Sequence, residues 1–201
     1  MIRYLTRILA IPIAYQSWWN VVGGPALAKV LVNEYVRPIL GVRILEIGCG
    51  PGTIVSYLPP SEYLGFDLSP KYIEMAKRRF PKAHFVCERV SQFSLAKEQS
   101  FDVVLALGIM HHLEDAEARQ LFQIAYDALR LGGKLVTIDG VWADGQSSAA
   151  RWLLARDRGG YIRTESEYVE IASQVFSNIR PSIRHDLLRI PCTHLILECV
   201  R

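Results

Sequence analysis

The sequence predicts a three-layer α/β fold, and three observations carry it. Short apolar runs rich in β-branched residues end in glycines or acids, and helical patterns alternate with them. A chain of 201 residues is long enough to cover a sheet on both faces. Half of its residues are hydrophobic and 21% are charged, as in an ordinary globular domain.

In chain order, Met1 to Val22 is apolar and aromatic, with Tyr15, Trp18 and Trp19 interrupted by Arg3 and Arg7. Pro12 breaks its short apolar run, and no small-residue cleavage site follows, so a signal peptide is not the expected reading. It is expected to pack over a ligand mouth or shape a pocket there, in preference to a peripheral membrane contact. Gly24 to Val36 reads as a helix ending near Pro38.

Val42 to Thr53, VRILEIGCGPGT, is a buried strand running into a glycine turn with an acid just ahead of it. Gly48, Gly50 and Gly52 let backbone approach a ligand. A dinucleotide fingerprint is G-x-G-x-x-G opening a helix. Here the third glycine arrives one place early, and Thr53 stands where that pattern wants glycine. Glu46 would repel a pyrophosphate and attract the amino and sulfonium groups of S-adenosylmethionine.

Tyr63 to Asp67 is a second strand ending in an acid, followed by Ser69 as a helix cap and Pro70 at the first helical position of Pro70 to Phe80. Phe101 to Leu107, FDVVLAL, is the next buried strand, and it leads into Gly108-Ile109-Met110-His111-His112-Leu113-Glu114-Asp115. Ala116 to Leu131 has helical spacing and runs through Gly132-Gly133 into the strand Lys134 to Ile138.

Together these four segments, in order over residues 42 to 139, resemble the class I, Rossmann-like, S-adenosylmethionine-dependent methyltransferases. The resemblance implies a seven-stranded, mostly parallel sheet with an antiparallel last strand, and S-adenosyl-L-methionine as cofactor with S-adenosyl-L-homocysteine as product. It places the cofactor against Glu46, Gly48, Cys49, Gly50, Gly52, Asp67, Leu68, Glu88, Arg89, Val90 and Leu107, with Asp67 at the ribose. Many relatives carry an acid in a D-A-x-x-L segment after the third strand. Here the comparable residues are Arg89-Val90-Ser91-Gln92-Phe93, which leaves the adenine to backbone groups at Arg89 and Val90 or to Glu88.

The chain is expected to divide into a cap segment and helix over residues 1–40 and a methyltransferase core over 41–201. After the core, Ser147 to Arg163 reads as a short amphipathic helix and a glycine-containing loop. Thr164 to Phe176 opens with the capping box Thr164 and Glu167, and Ile179 to Ile190 and Thr193 to Val200 form a closing hairpin turning at Pro191-Cys192.

His111 and His112 are the acid/base candidates, because the loop after the fourth strand lies beside the methyl group in this fold; the doublet reads equally as a helix cap and a stacking ring. Arg151, Arg158 and Arg163, near a glycine turn and the aromatics Trp152 and Tyr161, suggest a guanidinium fork for an acceptor carboxylate or phosphate, or an ion pair between Asp157 and an arginine that pins the loop. Trp18 and Trp19 are candidates for the acceptor pocket. Leu107-Gly108-Ile109-Met110 stands where base-amine methyltransferases carry an Asn/Asp-Pro-Pro-aromatic tetrad, and the net charge of +3 includes no dense basic run, with Lys77-Arg78-Arg79 on a solvated helix face. The expected acceptor is therefore a small molecule or a glycan or lipid precursor, methylated on oxygen, nitrogen or carbon. Cys49, Cys87, Cys192 and Cys199 lack C-x-x-C spacing, which fits reduced thiols in a cytoplasm and no metal site. An NAD-linked oxidoreductase and a non-catalytic S-adenosylmethionine-binding module are the alternatives.

Overall fold

The computed structural model describes residue 17 and residues 19–95 and 100–201. Its strands are β1 (Arg43–Ile47), β2 (Glu62–Asp67), β3 (His84–Cys87), β4 (Phe101–Leu107), β5 (Leu129–Trp142), β6 (Arg163–Thr164), β7 (Asn178–Arg184) and β8 (His194–Val200). The sheet runs β3-β2-β1-β4-β5-β8-β7, with β6 paired to β5. The β1, β2, β3, β4 and β5 neighbours are parallel, while β8 is antiparallel to both β5 and β7.

The strand count is eight rather than seven because β5 runs well beyond the expected Lys134 to Ile138. Its overhanging end gives Arg163 and Thr164 an edge to pair with, at Val141 and Trp142. The same extension shortens the preceding helix. That helix ends at Ala128, because Leu129 is fully buried and already pairs with Phe101 across the sheet.

The helices are α1 (Gly24–Val30), α2 (Pro70–Arg79), α3 (Asp115–Ala128), α4 (Ser148–Leu154) and α5 (Glu165–Ser173). α1 continues as one π-helical stretch, Leu31–Val36, closed by Arg37 in a left-handed conformation ahead of Pro38. Ser69 caps α2 by accepting from the Tyr72 N–H, and Thr164 and Glu167 complete the capping box of α5. The closing hairpin has a longer connection than expected. β7 stops at Arg184, whose guanidinium is held by Glu34, Tyr35 and Asp186, and residues 185–193 return across the N-terminal side of α1, where the Arg189 N–H donates to Val22 O.

Strand alternation makes the three layers. Leu45, Ile47, Val104, Leu135 and Leu197 point to one side, where Leu121 and Phe122 of α3 and Tyr168 of α5 cover them. Ile44, Leu105, Val136, Ile138 and Ile196 point to the other, under Leu27 and Leu31 of the α1 stretch and Ile73 of α2. The strand order reverses between β1 and β4, which places a ligand crevice beyond the carboxyl ends of those two strands.

Candidate functional site

At that crevice the turn after β1 is tied to the end of β2. Gly48, Gly50 and Gly52 all have positive φ. A Cβ at Gly50 would meet nothing within 4 Å, and the Gly50 N–H donates to Asp67 Oδ2 at 3.0 Å. Asp67 Oδ1 takes the Ser69 N–H at 2.8 Å, so one carboxylate braces both the glycine turn and the start of α2. Burial raises its pKa while those two N–H groups pull it down, and the net direction is up. An ionised carboxylate has about four acceptor positions, so two remain for ribose hydroxyls. Leu68, next along, is 64% exposed and offers an apolar surface beside the carboxylate.

From β3, the Glu88 N–H donates to Asp67 O at 3.0 Å, which brings Glu88 and exposed Arg89 to the same rim. Val90 is buried and Phe66 stacks on Phe93 at 3.8 Å, so the segment replacing the family's acid is held by packing. Leu107 is half-buried at the end of β4. Open space at Gly50, a half-exposed carboxylate and an apolar neighbour suit an adenosyl group.

Glu46 is placed differently from the expectation. Its register partner on β2 is Gly65, and the missing side chain there leaves room for Cys49 and the Tyr63 hydroxyl to close over the carboxyl. Tyr63 donates to Glu46 Oε2. Burial pushes the Glu46 pKa up to about 8, so at neutral pH this group is largely uncharged and acts as a polar strut under the turn rather than as a charge facing a cation. An unfolded glutamate ionises near 4.5, so the folded state binds the extra proton between there and about 8, and stability falls as pH rises through that window. Wild-type protein is expected to lose up to about 1.4 kcal/mol per pH unit from this group, and Glu46→Gln to flatten that slope in urea melts taken from pH 5 to pH 8. Cys49 is also sealed: burial drives its thiol pKa upward, which keeps it structural.

The histidine doublet is split by its surroundings. His111 Nδ1 lies 2.7 Å from Asp139 Oδ1 on β5, and the same oxygen accepts the His111 N–H at 3.2 Å. His111 Nε2 faces Asp157 Oδ1 at 3.5 Å. Burial disfavours the charged ring, but the hydrogen bond and charge of Asp139, with Asp157 adding, outweigh it and raise the pKa above its ordinary value. His112 is exposed, yet partial desolvation and then the His111 charge push its pKa down to about 4. His111 is thus the ring that can hold a proton near neutrality. Neither Asp139 nor Asp157 was among the expected site residues. The signal for Asp139 was available, since it closes the strand run LVTID as Asp67 closes YLGFD.

The loop after α4 roofs His111. A Cβ at Gly159 would fall 2.2 Å from His111 Cδ2 and 2.5 Å from its carbonyl oxygen, so only glycine permits this approach. The Tyr161 N–H donates to His111 O at 3.0 Å, while its ring is 45% exposed. Arg158 is exposed, and its charge is felt at Tyr72, His111 and His112.

Arg163, expected to grip an acceptor anion, is instead a buried brace. Its Nε and Nη2 donate to Asp115 Oδ1, Nη1 to Met110 O and Tyr161 O, and Nη2 also to Leu113 O. All five N–H donors are thereby spent on the segment that carries the histidines. Arg163→Met is expected to cost about 3 kcal/mol of stability, since it strands two buried carbonyls. Urea denaturation with an unchanged m-value would check it. Trp19 is half-buried against Gly24 on the α1 side of the sheet, and Trp18 lies outside the described residues.

Known proteins resemble this chain in sequence and in fold. A family model described as a methyltransferase domain matches residues 44–133, which hold the glycine turn, Asp67 and the histidine doublet. The trans-aconitate 2-methyltransferase of Variovorax paradoxus is 28% identical over 131 residues, covering 58% of this chain and 48% of that protein. The chain thus spans about half the length of that curated relative. Among solved structures, a Haemonchus contortus phosphoethanolamine N-methyltransferase 2, in complex with phosphomonomethylethanolamine and S-adenosylhomocysteine, superposes with a TM-score of 0.75 at 17% identity, over 98% of this chain and 59% of that one. The plantazolicin methyltransferase, in complex with a triazolic analogue and S-adenosylhomocysteine, gives 0.70 at 16% identity over 98% and 95%. These two likenesses speak for the fold, and the matched domain for the family. With the glycine turn braced by Asp67 at the reversal of the sheet, the chain carries a methyltransferase domain over residues 44–133 and has the fold of class I S-adenosylmethionine-dependent methyltransferases.

Proposed function

We propose that this chain methylates a small-molecule acceptor that gives up a proton as it reacts, with His111 receiving that proton at Nε2. The observation that carries the reading is the His111–Asp139 pair, formed where β5 passes the carboxyl end of β4. S-adenosylmethionine supplies the methyl group, its S–C bond breaking as the acceptor–C bond forms and S-adenosylhomocysteine leaves. The protein's part is positional and electrostatic. Asp67, Leu68 and the Gly48 to Gly52 turn hold the adenosyl moiety, Asp139 fixes the Nδ1–H tautomer of His111, and the Asp157 to Tyr161 loop limits water above it.

A small acceptor is supported by the compounds bound in the two structural neighbours and by the relative named for trans-aconitate. Methyl transfer to oxygen, nitrogen or carbon, including that of a glycan or lipid precursor, falls within the proposal. The same proposal places the chain in a reducing cytoplasm, which four free cysteines favour. The cap over residues 1–40 and the core over 41–201 are part of it too, with the cap bordering the acceptor side. The nicotinamide alternative is disfavoured by the geometry: the stretch after Gly52, Thr53–Tyr57, is a single 3-10 turn, so no α-helix N-terminus faces a pyrophosphate.

The deciding experiment incubates the protein with methyl-labelled S-adenosylmethionine and a panel of phenols, enols, hydroxy acids and amines. The expected result is label in one acceptor class. Tight S-adenosylhomocysteine binding with no label leaving the cofactor would favour a non-catalytic binding module.

A further inference from the structure

Along β5, Ile138, Gly140 and Trp142 share the face that α1 covers. α4 lies on that face, where Leu154 sits so close to Gly140 that a Cβ there would fall 2.7 Å from Leu154 Cδ1. With Leu154 and buried Ala150 turned to the sheet, α4 leaves Arg151 and Trp152 outward. Trp142, Ser148, Arg151, Trp152, Ala155 and Arg156 then line an open cavity of about 530 Å³. Two guanidinium groups are layered on its two indoles. Arg151 Cζ is 5.6 Å from the Trp142 ring centroid, and Arg156 Cζ is 4.0 Å from that of Trp152. Arg156 is steadied by donating to Trp152 O at 3.1 Å, and Trp152 remains 52% exposed. Among the described residues, neither arginine is in an ion pair.

We infer that this surface docks on an anionic lipid bilayer. Indoles prefer the headgroup level, where one edge is apolar and the other wet, and a guanidinium stacked on an indole reaches lipid phosphate without leaving the ring. Charge complementarity extends past α4. On the same side of the sheet α1 contributes Lys29 and no acid, and Trp19 packs there as well. Among the described residues no helix is long and apolar enough to cross a membrane, so the contact is peripheral. A nucleic acid would also satisfy the arginines, and it is the competing occupant that the duplex DNA measurement addresses.

The test is sedimentation of the full chain with phosphatidylcholine vesicles, with and without phosphatidylglycerol, alongside fluorescence binding to duplex DNA at the same salt. Binding only to the anionic vesicles, weakening as salt rises, is expected. Trp152→Ala should weaken it by roughly tenfold or more. The pair Arg151→Glu/Arg156→Glu should weaken it by roughly 25-fold or more, and Arg151→Lys/Arg156→Lys should retain it. S-adenosylhomocysteine affinity should stay unchanged in every variant, which reports an intact fold. Equal binding to neutral vesicles, vesicle binding indifferent to both α4 variants, or binding to DNA without vesicles would each overturn the inference.

Discussion

Asp67→Ala is expected to weaken S-adenosylhomocysteine binding by roughly 100-fold or more in calorimetry and to lower thermal stability as well. The side chain accepts the Gly50 and Ser69 N–H groups and so holds the glycine turn against the start of α2. Hydrogen bonds to a charged group contribute about 1.5 to 3 kcal/mol each, so two ribose hydroxyls on the remaining carboxylate positions account for the expected factor, while the lost Gly50 and Ser69 bonds lower stability. A second ligand separates bracing from ribose recognition. If the remaining carboxylate positions take the ribose hydroxyls, the 2′-deoxy analogue of S-adenosylhomocysteine binds more weakly than the parent to wild-type protein and equally to the variant. If Asp67 only braces the turn, the two ligands differ by the same factor in both proteins. Protonation should mimic the substitution, so affinity falls as the pH drops through the raised pKa of Asp67.

This half of the site was legible because it rests on backbone. A strand ending in an acid, glycines that must adopt positive φ and a Ser-Pro helix start are local features, and they place Asp67 beside Gly50 with no knowledge of the third dimension. Charge state was not legible in the same way. Glu46 reads as an anion until Tyr63 and Cys49 close over it, and both arrive through the register of β1 with β2. Arg163 failed for a related reason: a guanidinium near a glycine loop looks available until the carbonyls of Met110 and Leu113, some 50 residues away in sequence, claim its donors. The extent of β5 was equally hidden, since Leu129 and Arg130 continue a helical pattern that pairing with Phe101 overrides.

The largest expected change in rate follows from the same long-range register, which sets Asp139 of β5 beside His111 in the segment after β4. On the acceptor identified by labelling, His111→Gln is expected to lower kcat by roughly 10²- to 10⁴-fold, the usual contribution of a general base, while leaving S-adenosylhomocysteine affinity unchanged. His112→Gln should do far less, because a ring whose pKa has been pushed down to about 4 is a feeble proton acceptor at neutral pH. The pH profile distinguishes a base from a structural ring. Activity must rise with pH as His111 loses its proton, and that limb should lie above the ordinary histidine value. Asp139→Asn removes the charge that holds the proton on His111, so the acid limb should move to lower pH while the maximal rate falls less than in His111→Gln. Asp157→Asn, acting across 3.5 Å on the opposite nitrogen, should shift the limb in the same direction by a smaller amount. A profile that stays in place in Asp139→Asn would assign the pair to holding the 110–115 segment, and an unchanged kcat in His111→Gln would assign the reaction to an acceptor already ionised when it binds.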